Sequence, residues 1–357
     1  MTATCSYSGH PGPNSPTRLR RNRLLGLLVI GLILLVTCLA NMSLGAREIP
    51  LREVWETLPQ LPTLVEHPET AHADEQVISE LRLPRTVLGL VVGSALGVAG
   101  TLIQGHTRNP LADPGMIGIS AGAALAVVTA FSFFGVSSIS LTAIIAFAGA
   151  ILATAAVFGL ATLGRGTLNP ITLILGGAAI TAVLTSITSA LVLLDEQNLD
   201  RMRFWTVGSL TGRDLTIFWG VLPFIALGLI LALATAPTVN VLNLGQEAAT
   251  ALGVNTHQAR IFGMFLIALL AGAATAAAGS IGFIGLVIPH ISRALCGSDY
   301  RWIVPYSALI GPIILLSADI VGRFVARPGE VQVGIILALV GAPFFMYLIY
   351  RNKVVTL

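Results

Sequence analysis

The stretch "VLGLVVGSALGVAGTLIQGHTRNPLADPGMIGISAGAALAVVTAF", residues 87–131, decides the fold. No charge occurs from Val87 to Gly105, and none from Gly115 to Phe131. Between these runs lies a break carrying Arg108, Asp113 and two prolines, Pro110 and Pro114. An apolar run of about 18 or more residues without charges is long enough to cross a bilayer as a helix. The pattern recurs along the chain: no charge lies between Pro114 and Gly164, between Gly166 and Leu194, or between Leu215 and Gln246. Of the 357 residues 55% are hydrophobic and 10% charged, and mean hydropathy is +0.85. A soluble domain carries about 25% charged residues. Alternation of the barrel type is absent, so helices must satisfy the backbone in lipid. The class is an all-α polytopic membrane protein. Three readings of the break at 106–123 stand at this point: a solvent loop, an anion cradle (Gly118 and Gly122 follow it), or a moving part.

Outward from that stretch the pattern predicts about ten spans: 22–42, 84–105, 115–134, 139–162, 170–194, 215–236, 258–279, 282–297, 303–325 and 332–350. The third and eighth are short and glycine-rich, which predicts tilted or broken helices. Residues 1–21 read as a cytoplasmic disordered tail, and 22–352 as the transmembrane domain. Leu24–Ala40 exceeds the usual signal-peptide core of about 7–15 residues, so it reads as an uncleaved span. Arg18, Arg20, Arg21 and Arg23 place the N-terminus inside by the positive-inside rule, and an even span count returns the C-terminus to the same side. That topology makes 43–83 an outer loop with an amphipathic piece, "LREVWETL", and 237–257 an inner loop in which "GQEAATAL" reads as a short helix. It also leaves nine arginines outside, an excess that asks for a use. "SALGVAGTLIQGHTRNP" and "AGAATAAAGSIGFIGLVIPH" share a small-residue run followed by Gly/Pro punctuation. Five spans apart, they would run in opposite directions, as in the inverted repeats of transporters.

Several chemistries are excluded or left bland. The single lysine, Lys353, has no glycine loop before it and Val354 after it, so no P-loop exists here. Cys5, Cys38 and Cys296 show no metal or disulfide spacing. His67, His72, Glu66, Glu69, Asp74 and Glu75 match no established ligand set, so no metal site is assigned. No concentrated basic surface for nucleic acid is visible. Asp319 and Arg323, four apart, read as a local ion pair. His290 reads as a helix-end or packing histidine rather than a proton relay, and His106 as interfacial.

Taken together the blocks "RLPRT" (82–86), "RNPLADPGMIGISAGA" (108–123), "RFWTVGSL" (203–210), "ATALG" (249–253), "GFIGLVIPHISR" (282–293), "GSDYRW" (297–302), "ADIVGR" (318–323) and "GAPFF" (341–345) appear in an informative order. The chain resembles, from about residue 24 to 352, the permease subunits of type II ABC importers, the FecCD-type family for iron–siderophores, haem and cobalamin. "RFWTVGSL" with "RPGE" (327–330) is most similar to subunits that import ferric enterobactin and similar catecholate siderophores. Two departures stand: Gln332 where relatives often carry proline, and Gln246-Glu247 where many carry Asp-Glu.

The resemblance implies a permease paired with a second, identical or homologous one, two cytoplasmic ATPase subunits that hold ATP and magnesium, and an extracytoplasmic binding protein that delivers ferric siderophore. It implies docking of that protein on Arg82, Arg85 and Arg323, with interfacial snorkelling as the plain alternative for the first two. It implies a coupling helix over Gly245, Gln246, Glu247, Ala251, Leu252 and Gly253. It implies a path lined by Leu173, Gly176, Gly177, Thr181 and Thr185. The break becomes an inner turn, and Asn109, Pro110 and Leu111, with Asn169 and Pro170, form a cytoplasmic gate. Haem or cobalamin cargo is the first alternative, and an ion-coupled secondary transporter, which would want carboxylates within the spans, the second.

Overall fold

The computed structural model describes residues 16–45, 49–61, 64, 72–136, 138–162, 170–327 and 329–351. Among them there is no strand. The helices are α1 (Pro16–Ser43), α2 (Leu51–Thr57), α3 (Ala73–Thr107), α4 (Ile119–Phe134), α5 (Ile139–Thr162), α6 (Pro170–Leu193), α7 (Glu196–Val207), α8 (Leu215–Asn243), α9 (Gln246–Ala251), α10 (Thr256–Ala278), α11 (Ile284–Cys296), α12 (Tyr300–Val325) and α13 (Val333–Arg351). By length and composition α1, α3, α5, α6, α8, α10 and α12 can cross a membrane, and α4, α11 and α13 are shorter apolar helices. These ten fall on the ten expected spans. The end carrying α2 and α7 is the outer end of the expected topology, and the end carrying α9 the inner one.

The core is built around α3 and α10, the two most enclosed helices. In α3, Gly89, Gly93 and Gly97 recur every four residues and form a small-residue face. A Cβ on Gly93 would lie 2.6 Å from the backbone of Pro312, and one on Gly311 would lie 2.0 Å from the Gly93 carbonyl. The α3 and α12 backbones therefore touch, and their attraction comes from close packing, because lipid supplies no hydrophobic drive between helices. The packing partners repeat with exchanged halves. α3 lies against α10, α11 and α12, while α10 lies against α3, α4 and α5. Likewise α4 packs on α5 and α6, as α11 packs on α12 and α13. This is the arrangement expected of an inverted repeat.

The short helices have a physical cause. After α3 the chain turns at Arg108, which has a left-handed φ of 50°. Asp113–Gly118 then re-enters the bundle through a 3-10 turn, Pro114–Ile117. A Cβ on Gly285 would lie 2.8 Å from the Pro114 ring, and one on Gly100 would clash with the Gly285 carbonyl. Gly100 lies seven residues before the end of α3, so Pro114 sits about 10 Å from that end, at 1.5 Å per residue. The stretch "RNPLADP" is thus only half a turn at the inner end, and α4 and α11 each start inside the bundle.

Three expected boundaries are corrected. Residues 16–21 are helical, as the start of α1, rather than part of the tail. The outer loop is shorter than 43–83, because α3 begins at Ala73, where the His72 N–H is capped by Glu75 Oε2 at 2.8 Å, and passes through a π-helical turn over Val77–Arg82. Most of the His/Glu-rich middle of that loop lies outside the described residues. α8 runs through Pro237 to Asn243 rather than ending at 236. Its extension is anchored: Asn240 donates to Asp299 Oδ1 at 2.6 Å and accepts from the Tyr300 N–H at 2.8 Å, and Asn243 donates to the Gly105 carbonyl at 3.3 Å.

Candidate functional site

At the outer end the three arginines expected to dock a partner are buried, with Arg82 5%, Arg85 7% and Arg323 3% exposed. Arg323 donates to Asp319 Oδ2 at 2.7 Å and to the carbonyls of Asn41 and Leu44. Arg85 grips Glu330 with both terminal nitrogens, at 3.3 and 2.7 Å, donates to Thr211 Oγ1, and lies 4.0 Å from Asp319 through Nε. Arg82 donates to the Met42 carbonyl. Asn41 completes the cluster by donating to Asp319 and accepting from Thr86. The Asp319–Arg323 pair read from the sequence exists, inside a network that joins α1, α3, α12 and three outer loops. Arg85 thus has its fork closed on an internal carboxylate, while Arg323 and Arg82 direct donors to Asp319 and to backbone carbonyls. Burial raises the Glu330 carboxyl, but the hydrogen bond and charge of Arg85, the Thr211 hydroxyl and Arg323 outweigh it and hold it below its ordinary range.

At the inner end α9 stands clear of the bundle. Two glycines with positive φ frame it, Gly245 at 111° and Gly253 at 82°, which explains why glycine flanks so short a helix. Ala249 is fully buried beneath it. Gln246, Glu247, Ala251, Leu252 and Gly253 face outward, and Leu244 and Leu252 are 66% and 63% exposed.

The inner turn is pinned rather than loose. Asn109 Oδ1 accepts from the Leu111 N–H at 2.9 Å, closing an Asx turn. His290 Nε2 lies 2.9 Å from the Pro110 carbonyl. Gln104, 2% exposed, donates to the carbonyls of Ala112 and Leu286 and accepts from Arg293. His290 is therefore a packing histidine with a specific task. Gln104 and Arg293 were missed by the motif reading, although Gln104 is the one amide side chain in the run 84–105. A buried amide must find partners. Asn169 lies outside the described residues, and Pro170 is the first residue of α6.

The expected path residues divide. Leu173 is 3% exposed, and a Cβ on Gly177 would lie 2.1 Å from the Met116 carbonyl, so these two face into the subunit against the re-entrant segment. Gly176 and Thr181 are half-buried and Thr185 is exposed. The exposed positions of α6 include Thr172, Ala178, Ala179, Ala182, Thr185, Ser186 and Ser189, together with Leu175, Val183 and Ile187.

Residues 33–351 match the FecCD transport family. The iron(3+)-hydroxamate import system permease protein FhuB of Bacillus subtilis (strain 168) is 42% identical over 331 residues, covering 92% of this chain and 83% of that protein. The ferric enterobactin transport system permease protein FepD of Escherichia coli (strain K12) is 41% identical over 328 residues, covering 91% and 96%. A solved structure described as an inward-facing conformation of a metal-chelate type ABC transporter superposes with a TM-score of 0.79 at 29% identity, over 91% of this chain and 99% of that one.

Proposed function

The chain belongs to the FecCD transport family, and on that premise we propose that it is the permease subunit of an ABC importer carrying a ferric siderophore of the catecholate type across the bacterial cytoplasmic membrane. The observation that carries the reading is the continuous match of the whole bundle to ABC importer permeases. The likeness to the ferric enterobactin permease, together with "RFWTVGSL" and "RPGE", supports the catecholate cargo.

The mechanism is alternating access with ATP hydrolysed on separate subunits. α9 is the contact for the ATPase: its exposed Glu247 and Leu252 suit a groove on a partner, and buried Ala249 ties the helix to the bundle. Movement of α9 reaches α10 through the tight 252–255 connection, where the Val254 N–H returns to the Ala249 carbonyl at 3.0 Å. The inner turn at Asn109–Leu111, held by His290 and Gln104, moves with α3 and α11 as one piece, which suits a gate facing its counterpart in a second permease. The binding protein docks on the outer end, where Arg82, Arg85 and Arg323 shape the surface from beneath.

The test is uptake. Proteoliposomes holding the permease with its ATPase and binding protein take up ferric catecholate in preference to ferric hydroxamate, haem and cobalamin. Preference for any of the other three sinks the cargo assignment.

A further inference from the structure

Two clefts adjoin at the outer end and share Ile139, Thr211, Gly212 and Arg213 in their walls. One, of about 480 Å³, holds the buried arginine network and is lined also by Glu80, Asp214 and Glu330. The other, of about 460 Å³, is lined by Phe131, Arg201, Trp205, Thr211, Arg213 and Gln332 among others, and none of the described residues lining it is acidic. Both α7 and the loop 208–213 are firmly set. Asp195 caps α7 by accepting from the Gln197 N–H at 2.9 Å, and Asn198 ties it to Ser132 of α4 at 2.9 Å. Positive φ at Gly208 and Gly212 turns the loop.

The second cleft has unspent donors. Arg213 is partly buried and makes no hydrogen bond or ion pair with a described residue. The adjoining Asp214 instead accepts from the Ile217 N–H at 3.1 Å, capping α8. The Trp205 indole N–H is buried without an acceptor among the described residues. Arg201 stacks over the Phe131 ring at 5.5 Å, which orients its guanidinium at the rim. A partly desolvated guanidinium and an orphaned N–H are both unfavourable unless an acceptor arrives. Burial lowers the Arg213 pKa and Asp214 partly opposes it, yet an arginine stays charged at neutral pH.

We propose that this cleft receives an anionic, oxygen-rich metal chelate at the outer mouth, with Arg213 and Arg201 as its charge contacts and Trp205 as a donor. The proposal rests on the siderophore reading and narrows it to chelates of net negative charge, such as a ferric tris-catecholate, whose ligand oxygens bring more charge than the ferric ion cancels. The concave shape and the aromatic walls of Phe131 and Trp205 suit a compact organic chelate better than a flat protein face. The neighbouring cleft shares Arg213 but differs in its surroundings: Arg85 and Arg323 there are paired with Asp319 and Glu330, and Glu80, Asp214 and Glu330 stand on its wall.

The experiment uses the full complex in proteoliposomes with Arg201→Gln, Arg213→Gln, the double variant and Arg213→Lys. Radiolabelled ferric tris-catecholate uptake falls about tenfold or more in the double variant, as expected for the loss of hydrogen bonds to a charged group, and Arg213→Lys restores part of it. Docking of the ligand-free binding protein and the ATPase activity that it stimulates stay at the unsubstituted level, which also reports an intact fold. Unchanged uptake overturns the proposal. A parallel fall in docking also overturns it, because the charges then serve the protein partner. If the unsubstituted complex carries no ferric catecholate, the cargo reading fails by itself. The variants are then measured on whatever chelate it does carry, and a neutral chelate, or an anionic one indifferent to both arginines, overturns the inference as well.

Discussion

The outer and inner ends of this bundle hold their loops in opposite ways. At the outer end, charge is buried: Asp319 lies between Arg85 and Arg323, and Glu330 closes on Arg85 and Thr211. At the inner end the ties are dominated by neutral hydrogen bonds, from Gln104, His290 and Asn109 to backbone groups, while α9 remains exposed. A buried ionic network resists rearrangement, since separating its members strands charge in a poor solvent. Amide and imidazole contacts to backbone can be exchanged at lower cost. The outer network is suited to staying fixed, and the inner turn and α9 to moving.

The contrast can be broken from its strongest side first. Asp319→Asn leaves Arg323 and Arg85 short of a buried counter-charge, and the expected loss is about 3–5 kcal/mol, read as a lower unfolding midpoint in detergent. A loss below about 1 kcal/mol would mean that water reaches the network. Gln104→Ala strands Arg293 and two carbonyls, for an expected loss of about 1–3 kcal/mol, together with a changed transport rate because the inner turn loosens.

Glu330→Gln has a smaller effect, under about 1 kcal/mol, since the carboxylate is partly exposed. Its pH dependence is the sharper readout. A carboxyl whose folded pKa is depressed stabilises the fold above its unfolded pKa and loses that contribution as pH falls through the lower folded value. The difference between the natural protein and Glu330→Gln therefore begins to shrink below the ordinary glutamate value of 4.5 and disappears below the depressed one. A difference that vanished above that value would contradict the Arg85 tie. Leu252→Glu changes stability least, within about 0.5 kcal/mol for an exposed position, yet ATP hydrolysis should continue while uptake is lost. Normal uptake would count against α9 as the coupling contact.

Much of this was legible in one dimension. The long apolar runs located the ten apolar helices found among the described residues, and "GQEAATAL" located α9, because both signals are local: the scarcity of charge over a membrane's thickness, and glycines framing a polar turn. Less legible was anything set by a distant partner. Pro237 looked like a helix end, and only Asn240 and Asn243, by reaching Asp299, Tyr300 and Gly105, show why the helix continues. Leu173 and Gly177 are expected on the path from the resemblance alone; only the structure shows that Leu173 is buried and that a Cβ on Gly177 would meet the Met116 carbonyl of the re-entrant segment. The arginine trio carried a family motif that says nothing about which carboxylate lies nearest.

The sequence by itself determined that the chain is a helical membrane bundle, roughly where each span lies, and that no ATP site of the P-loop type is present, since composition and short motifs decide these. The tertiary structure alone decided which arginines are closed and which is open. Arg85 and Arg213 are the same residue type at the same end of the molecule. Glu330 reaches one at 2.7 Å, while the carboxylate beside the other caps a helix. Charge compensation depends on distance and burial in space, and neither is written along the chain.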